Sequence, residues 1–158
     1  MKLSELGYTP YIIGKYYNKH EDISFIKQHT NLRIIDKFCD IKRNDYDILM
    51  VNSDQTWRAS QGSLYDIAFL CFARNWTILK FIYGASMGFR DWKFNKTDEI
   101  IAKDCLKSFK SISVREIGAV NRIEKHLNIR PTFVLDPTFL IILYNMIYHH
   151  KKFCQDLY

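Results

Sequence analysis

Residues Ile48-Leu49-Met50-Val51 form an unbroken apolar run, and the four residues that follow it, Asn52, Ser53, Asp54 and Gln55, all carry side chains capable of hydrogen bonding. A short apolar run without polar alternation is the pattern of a strand buried on both faces of a parallel sheet. In open α/β sheets ligands collect beyond the carboxyl ends of the strands, so residues 52–55 stand where a site is expected. Trp57 supplies a large amphipathic ring beside them. Asn, Ser and Asp are also ordinary turn residues. On these residues alone, a site and a plain turn both remain open.

The rest of the chain repeats the alternation of strand and helix. Residues 1–20 show no clear periodicity. Asp22 is placed to cap a short helix reaching residue 29, and residues 32–41 read as a connecting segment or short strand. The apolar stretch 67–73 leaves its element type open. Residues 79–83 form a second strand, followed at once by Gly84-Ala85-Ser86-Met87-Gly88. Small residues there admit either a ligand or a neighbouring helix. Thr97, with Asp98 and Glu99 after it, opens a helix whose carboxylates complement the helix dipole. Its buried face is Ile101, Ala102, Cys105, Leu106 and Phe109. Residues 111–114 make a third strand. Ala119, Val120, Ile123 and Leu127 mark a second helix, which Asn128 and Pro131 end. Residues 132–135 make a fourth strand, closed by Asp136 and Pro137. This order predicts an α/β, Rossmann-like parallel sheet flanked by helices, with right-handed crossovers.

A chain of 158 residues is enough for one domain with a real core. Its 11 Phe and 10 Tyr, against 6 Gly and 3 Pro, imply packed elements joined by short loops. The net charge of +6 suits an anionic ligand. The Lys and Arg residues are scattered and form no concentrated stripe, so nucleic acid is not expected. Cys39, Cys71, Cys105 and Cys154 are widely separated and lack metal-ligand spacing, so no metal site is expected and they read as reduced core residues. The start of the chain has no signal-peptide pattern, and the greasiest stretch, 139–148, is about half a membrane span. A soluble, cytoplasmic protein is the expectation.

Arg115 is the leading candidate for chemistry. At a strand-to-helix junction, its guanidinium and the open amides of the helix's first turn can hold one anion. An ion pair with Glu116, Asp136 or Asp54 is the equal alternative. None of the histidines falls beside a strand end where a base could be oriented. The common phosphate-loop, dinucleotide and nucleophile-elbow motifs are missing from the sequence.

Four ordered blocks together resemble the polysaccharide pyruvyl transferase family: 46–57, with Ser53-Asp54-Gln55-Thr56-Trp57; 83–88; 112–116, with Ser113-Val114-Arg115-Glu116; and 134–140, with Asp136-Pro137-Thr138. The resemblance spans roughly residues 23–140. It implies half of a GT-B-like architecture of two Rossmann-like domains, phosphoenolpyruvate as donor substrate with no further cofactor, and a glycan acceptor. The product would be a pyruvate ketal on a pair of sugar hydroxyls of a cell-surface glycan. By the same resemblance Arg115 holds the donor, Ser53, Asp54 and Gln55 shape the cleft, and Ser86 with Gly88 let substrate approach the backbone. Asn52 and Gly84 depart from the family's usual Gly and Ala.

The resemblance places a partial Rossmann-like domain at 1–137 and a helical, unrelated tail at 138–158. It leaves the general acid in a second domain outside this chain, supplied by a partner if at all. A homo-oligomer, a non-catalytic anion or nucleotide-sugar binding module, and a truncated gene product that needs a partner are the remaining expectations.

Overall fold

The apolar run becomes β3 of a four-stranded sheet in the computed structural model, which describes residues 7–9, 11–13, 33–35, 40–52, 56–57, 68–88 and 91–139. The expected helix at 22–29 and nearly all of the tail, 140–158, lie outside the described residues. The chain forms two compact units, Met1–Tyr46 and Asp47–Tyr158.

In the first unit β1 (Tyr11–Ile13) and β2 (Arg33–Ile35) pair in parallel, Tyr11 opposite Arg33 and Ile13 opposite Ile35. Tyr11 meets the ring of Tyr46 edge-on, with centroids 5.2 Å apart.

In the second unit β3 (Ile48–Asn52), β4 (Leu79–Ala85), β5 (Ser111–Val114) and β6 (Thr132–Phe133) lie in that order, and every pair is parallel. Helix α1 (Lys96–Leu106) connects β4 to β5, and α2 (Ile117–Leu127) connects β5 to β6. Because successive strands step in one direction, right-handed crossovers put both helices on the same face. They are joined there by His126 of α2 and Glu99 of α1, 3.2 Å apart. Val51, Ile82, Ala85 and Val114 from the sheet meet Ala102, Leu106, Ala119 and Ile123 from the helices in one core.

Each expected strand of this sheet is present, β5 with its expected bounds, but β3 is not buried on both faces as expected: it stands at the end of the described strand order, with Met50 46% exposed and only Val51 buried. β4 runs two residues further than its apolar pattern, through Gly84 and Ala85. Its register with β5 slips between Ile82 and Ala85, where Gly84 takes φ +59. The Ser113 hydroxyl bridges the slip, donating to the Ile82 carbonyl and accepting the Gly84 N–H, each at 3.0 Å. A side-chain hydroxyl thus replaces the ladder bonds that the bulge removes. β6 stops at Phe133, short of the expected residue 135. Val134 N–H still donates to Val114 O at 2.9 Å, after which the turn at Asp136 takes over, with Phe139 N–H bonded to Asp136 O at 2.9 Å.

Helix α1 begins one residue before the expected Thr97. Asn95 is its N-cap: its side chain accepts the Asp98 N–H at 2.9 Å, while the Asp98 carboxylate accepts the Asn95 N–H at 3.3 Å. That reciprocal pair is a capping box. Ala102, Cys105 and Leu106 are buried as expected, but so is Glu99, while Ile101 and Phe109 are half-buried. In α2 all four expected positions are buried, and Asn128 ends the helix with φ 55. Asn tolerates that left-handed conformation better than most residues.

Residues 71–73 form a short 3₁₀ turn, entered through Leu70 at φ 47. Cys71 in this turn is disulfide-bonded to Cys105 of α1, with Cα atoms 5.3 Å apart. This corrects the expectation that both cysteines are reduced: a separation of 34 residues conceals a contact that only the packing of the turn on the helix creates.

Candidate functional site

The carboxyl ends of β4, β5 and β6 are stitched together by two carboxylates and a guanidinium. As β4 ends, Ala85 O accepts the Arg115 N–H at 3.2 Å, so the next residues leave the sheet beside the start of α2. Glu116, the N-cap residue of α2, makes no capping bond with its side chain. It reaches across to β4 instead. There it accepts the Ser86 hydroxyl at 2.5 Å and the Met87 N–H at 3.3 Å. The Ser86 hydroxyl also accepts the Gly88 N–H at 3.2 Å, and Gly88 turns with φ 67. Ser86 and Met87 are buried and Gly88 is exposed.

On the other side, Arg115 Nη1 pairs with Asp136 Oδ2 and its Nε lies 3.9 Å from Glu116 Oε1. Asp136 Oδ1 accepts two bonds from Thr138, from its N–H at 2.9 Å and its hydroxyl at 2.7 Å. Those bonds, led by the backbone N–H, hold the Asp136 carboxyl below the usual carboxylate range against the cost of burial, and Arg115 adds to the effect. The Arg115 side chain is 21% exposed.

Trp57 anchors the edge near β4. Its N–H donates to Ser86 O at 3.2 Å, and its indole Nε1 donates to Ala68 O at 3.1 Å from a fully buried position. The ring packs on Phe69 with centroids 5.4 Å apart. The ring expected beside residues 52–55 is thus buried, and the Trp57 backbone is tied to the end of β4.

Of the sequence-derived candidates, Arg115, Ser86 and Gly88 come together at adjoining strand ends. Ser53, Asp54 and Gln55 lie outside the described residues. Glu116 takes a larger part than its sequence reading gave it, since it connects Arg115 to Ser86. The available signal was a carboxylate directly after Arg115, which was read only as an ion-pair partner for that guanidinium. Among the described residues, no group of three or more His, Cys, Asp or Glu side chains is placed to hold a metal ion. No described helix is long and apolar enough to cross a membrane.

Chemically, the cluster is an ion-pair network in which one guanidinium faces two carboxylates. If Arg115 turns from Asp136 to an incoming carboxylate or phosphate, Asp136 keeps both bonds from Thr138 and is not left without donors. Glu116 likewise keeps Ser86 and Met87 in place while Arg115 moves.

No curated protein and no solved structure matches the chain. The family model of polysaccharide pyruvyl transferase matches residues 3–157, beyond the four blocks at both ends, and with strand ends that carry those blocks the chain belongs to the polysaccharide pyruvyl transferase family.

Proposed function

We propose that this chain binds phosphoenolpyruvate at the carboxyl ends of β4 and β5 and serves the transfer of its pyruvyl group to a glycan. The carrying observation is Arg115, at the end of an inner strand of a family member, held by a carboxylate that has donors of its own. The donor's carboxylate would replace that of Asp136 on the guanidinium, and the planar fork of Arg115 suits bidentate pairing.

In the proposed reaction, a proton is added to the methylene carbon of the enol, and the adjacent carbon takes on oxocarbenium character. One sugar hydroxyl adds to that carbon and releases its proton. The bond to phosphate then breaks as the second hydroxyl closes the ketal, and the proton that hydroxyl loses leaves with inorganic phosphate. The acceptor is proposed to be a cell-surface glycan offering two neighbouring hydroxyls, and no separate cofactor is needed for the balance. Positively charged groups lower the barrier by holding the donor's carboxylate and the departing phosphate. The general acid is proposed to lie in a second domain, outside the residues described. Ser53, Asp54 and Gln55 are proposed to shape the cleft, with Ser86 and Gly88 letting substrate approach the backbone.

Calorimetric titration of the chain with phosphoenolpyruvate is the test. Saturable heat is expected, weakened about tenfold by Arg115→Lys, which keeps the charge and loses the fork. Arg115→Ala should remove it. Heat that persists unchanged in Arg115→Ala, or no heat from the unaltered chain, would rule out the donor site.

The pairing of Arg115 with two carboxylates favours one second reading, a non-catalytic module for an anion or a nucleotide sugar. That reading expects saturable anion binding, with no ketal formed when glycan acceptors and every other protein needed for transfer are supplied.

A further inference from the structure

The segment 68–73 packs into the core, with Ala68, Phe69, Leu70 and Ala73 buried, and identifiable attachments tie it there. Leu70 enters the 3₁₀ turn in the left-handed region, at φ 47, a conformation that a side chain with a Cβ resists and that its surroundings must enforce. Besides the burial of Leu70 and the bond from Ala73 N–H to Leu70 O at 2.8 Å, the segment is tied by the Trp57 indole on Ala68 O, the packing of Phe69 between Trp57 and Phe94, and the Cys71–Cys105 disulfide. Only the disulfide is covalent. Its two sulfurs are unequally placed, because Cys105 is buried in the core while Cys71 is half-buried at its margin. A thiolate attacking from solvent therefore reaches the bond at Cys71.

The same segment leads back to the strand ends. Trp57 donates its indole N–H to Ala68 and its backbone N–H to Ser86, the residue whose hydroxyl Glu116 holds. Contacts thus run without a break from Cys105 through Cys71 and Phe69 to Trp57 and Ser86.

We propose that the Cys71–Cys105 disulfide is a redox-controlled clasp: when closed it pins segment 68–73, and through Trp57 the end of β4, and when opened it releases both. Opening takes two electrons from a dithiol reductant. The sulfur–sulfur bond breaks, each cysteine gains an electron and a proton, and the dithiol closes to its own disulfide. Closing runs in reverse, with a small-molecule disulfide such as oxidised glutathione as the acceptor.

Amide hydrogen exchange, followed by mass spectrometry on the whole chain, tests this without relying on donor binding. The chain is compared after incubation with oxidised glutathione and with dithiothreitol, with Cys71→Ser as a version that cannot close. Opening is expected to speed exchange about tenfold or more in peptides covering 68–73, 56–57 and 85–88, while α2 stays within about twofold. The Cys71→Ser chain should match the reduced one under both conditions. Three results overturn the proposal: both thiols still titratable in excess oxidised glutathione, exchange indifferent to the redox state, or exchange accelerated throughout the sheet and α2, which would mark a staple for the whole unit.

Discussion

Two residues show how narrowly local chemistry is set. Glu99 is buried in the first turn of α1, yet its carboxylate accepts the Trp92 indole N–H at 2.8 Å, pairs with Lys96 at 2.9 Å and meets His126 Nδ1 at 3.2 Å. Trp92 stacks on His126, with centroids 4.4 Å apart and planes 10° apart, so one carboxylate ties together a loop and two helices. The bond from Lys96 is the largest of the influences that take its pKa from 4.5 to about 2, against the opposing effect of burial. A depressed folded-state pKa gives stability that is complete above about 4.5 and is lost as the pH falls toward about 2. Thermal melts should therefore drop over that acid window, and Glu99→Gln should flatten much of the drop while lowering stability at neutral pH by about 2 kcal/mol. Gly84 is the second case. A Cβ there would sit 3.2 Å from Pro137 Cδ on a backbone at φ +59. Gly84→Ala, although it restores the residue usual in the family, is expected to cost about 1–3 kcal/mol in urea denaturation. A stability unchanged by that substitution would mean that β4 can pair without its bulge.

Among the elements, what the sequence revealed followed the range of the interaction responsible. The buried stripe of α2 and its ending at Asn128 depend on neighbours three or four residues apart, and both were legible. The strands β3, β4 and β5 were legible from short runs of adjacent residues, but the burial of β3 was not, because that depends on its place at the end of the strand order. The bulge in β4 was not, because it depends on Ser113, 29 residues from Gly84. The early end of β6 depends on the Asp136–Thr138 turn, which competes with a strand pattern that continues through Leu135. The start of α1 was missed although its signal is local: Asp98 was taken for a dipole partner when it also closes a capping box with Asn95. Asn95→Ala removes the acceptor for the Asp98 N–H and should lower stability by about 1 kcal/mol, measured by chemical denaturation. Asn95→Ser, which can cap in the same way, should recover most of it.

Across the whole molecule, charge and site pull in opposite directions. The chain carries a net +6, which draws anions from a distance, while Arg115, Glu116 and Asp136 together place two carboxylates around one guanidinium. Composition revealed the first; the second was one of two readings of Arg115, and the ion pairs with Asp136 and Glu116 bear it out, Asp136 being brought there by the pairing of β5 with β6. The placement of Ser86 beside Glu116 was not legible, because it needs β4 and β5 side by side. If phosphoenolpyruvate binds as proposed, the long-range part of its attraction should respond to salt and the exchange at Arg115 should respond much less. Raising salt from about 0.05 M to about 0.5 M shortens the screening length to a few ångströms, and several-fold weaker binding is expected, chiefly through slower association. Dissociation, which reports the contact with Arg115, should change by less than about twofold over that range. Stopped-flow measurement of both rates separates the two contributions. Salt that left association unchanged while accelerating dissociation would place the attraction entirely at the guanidinium and give the net charge no part in capturing the donor.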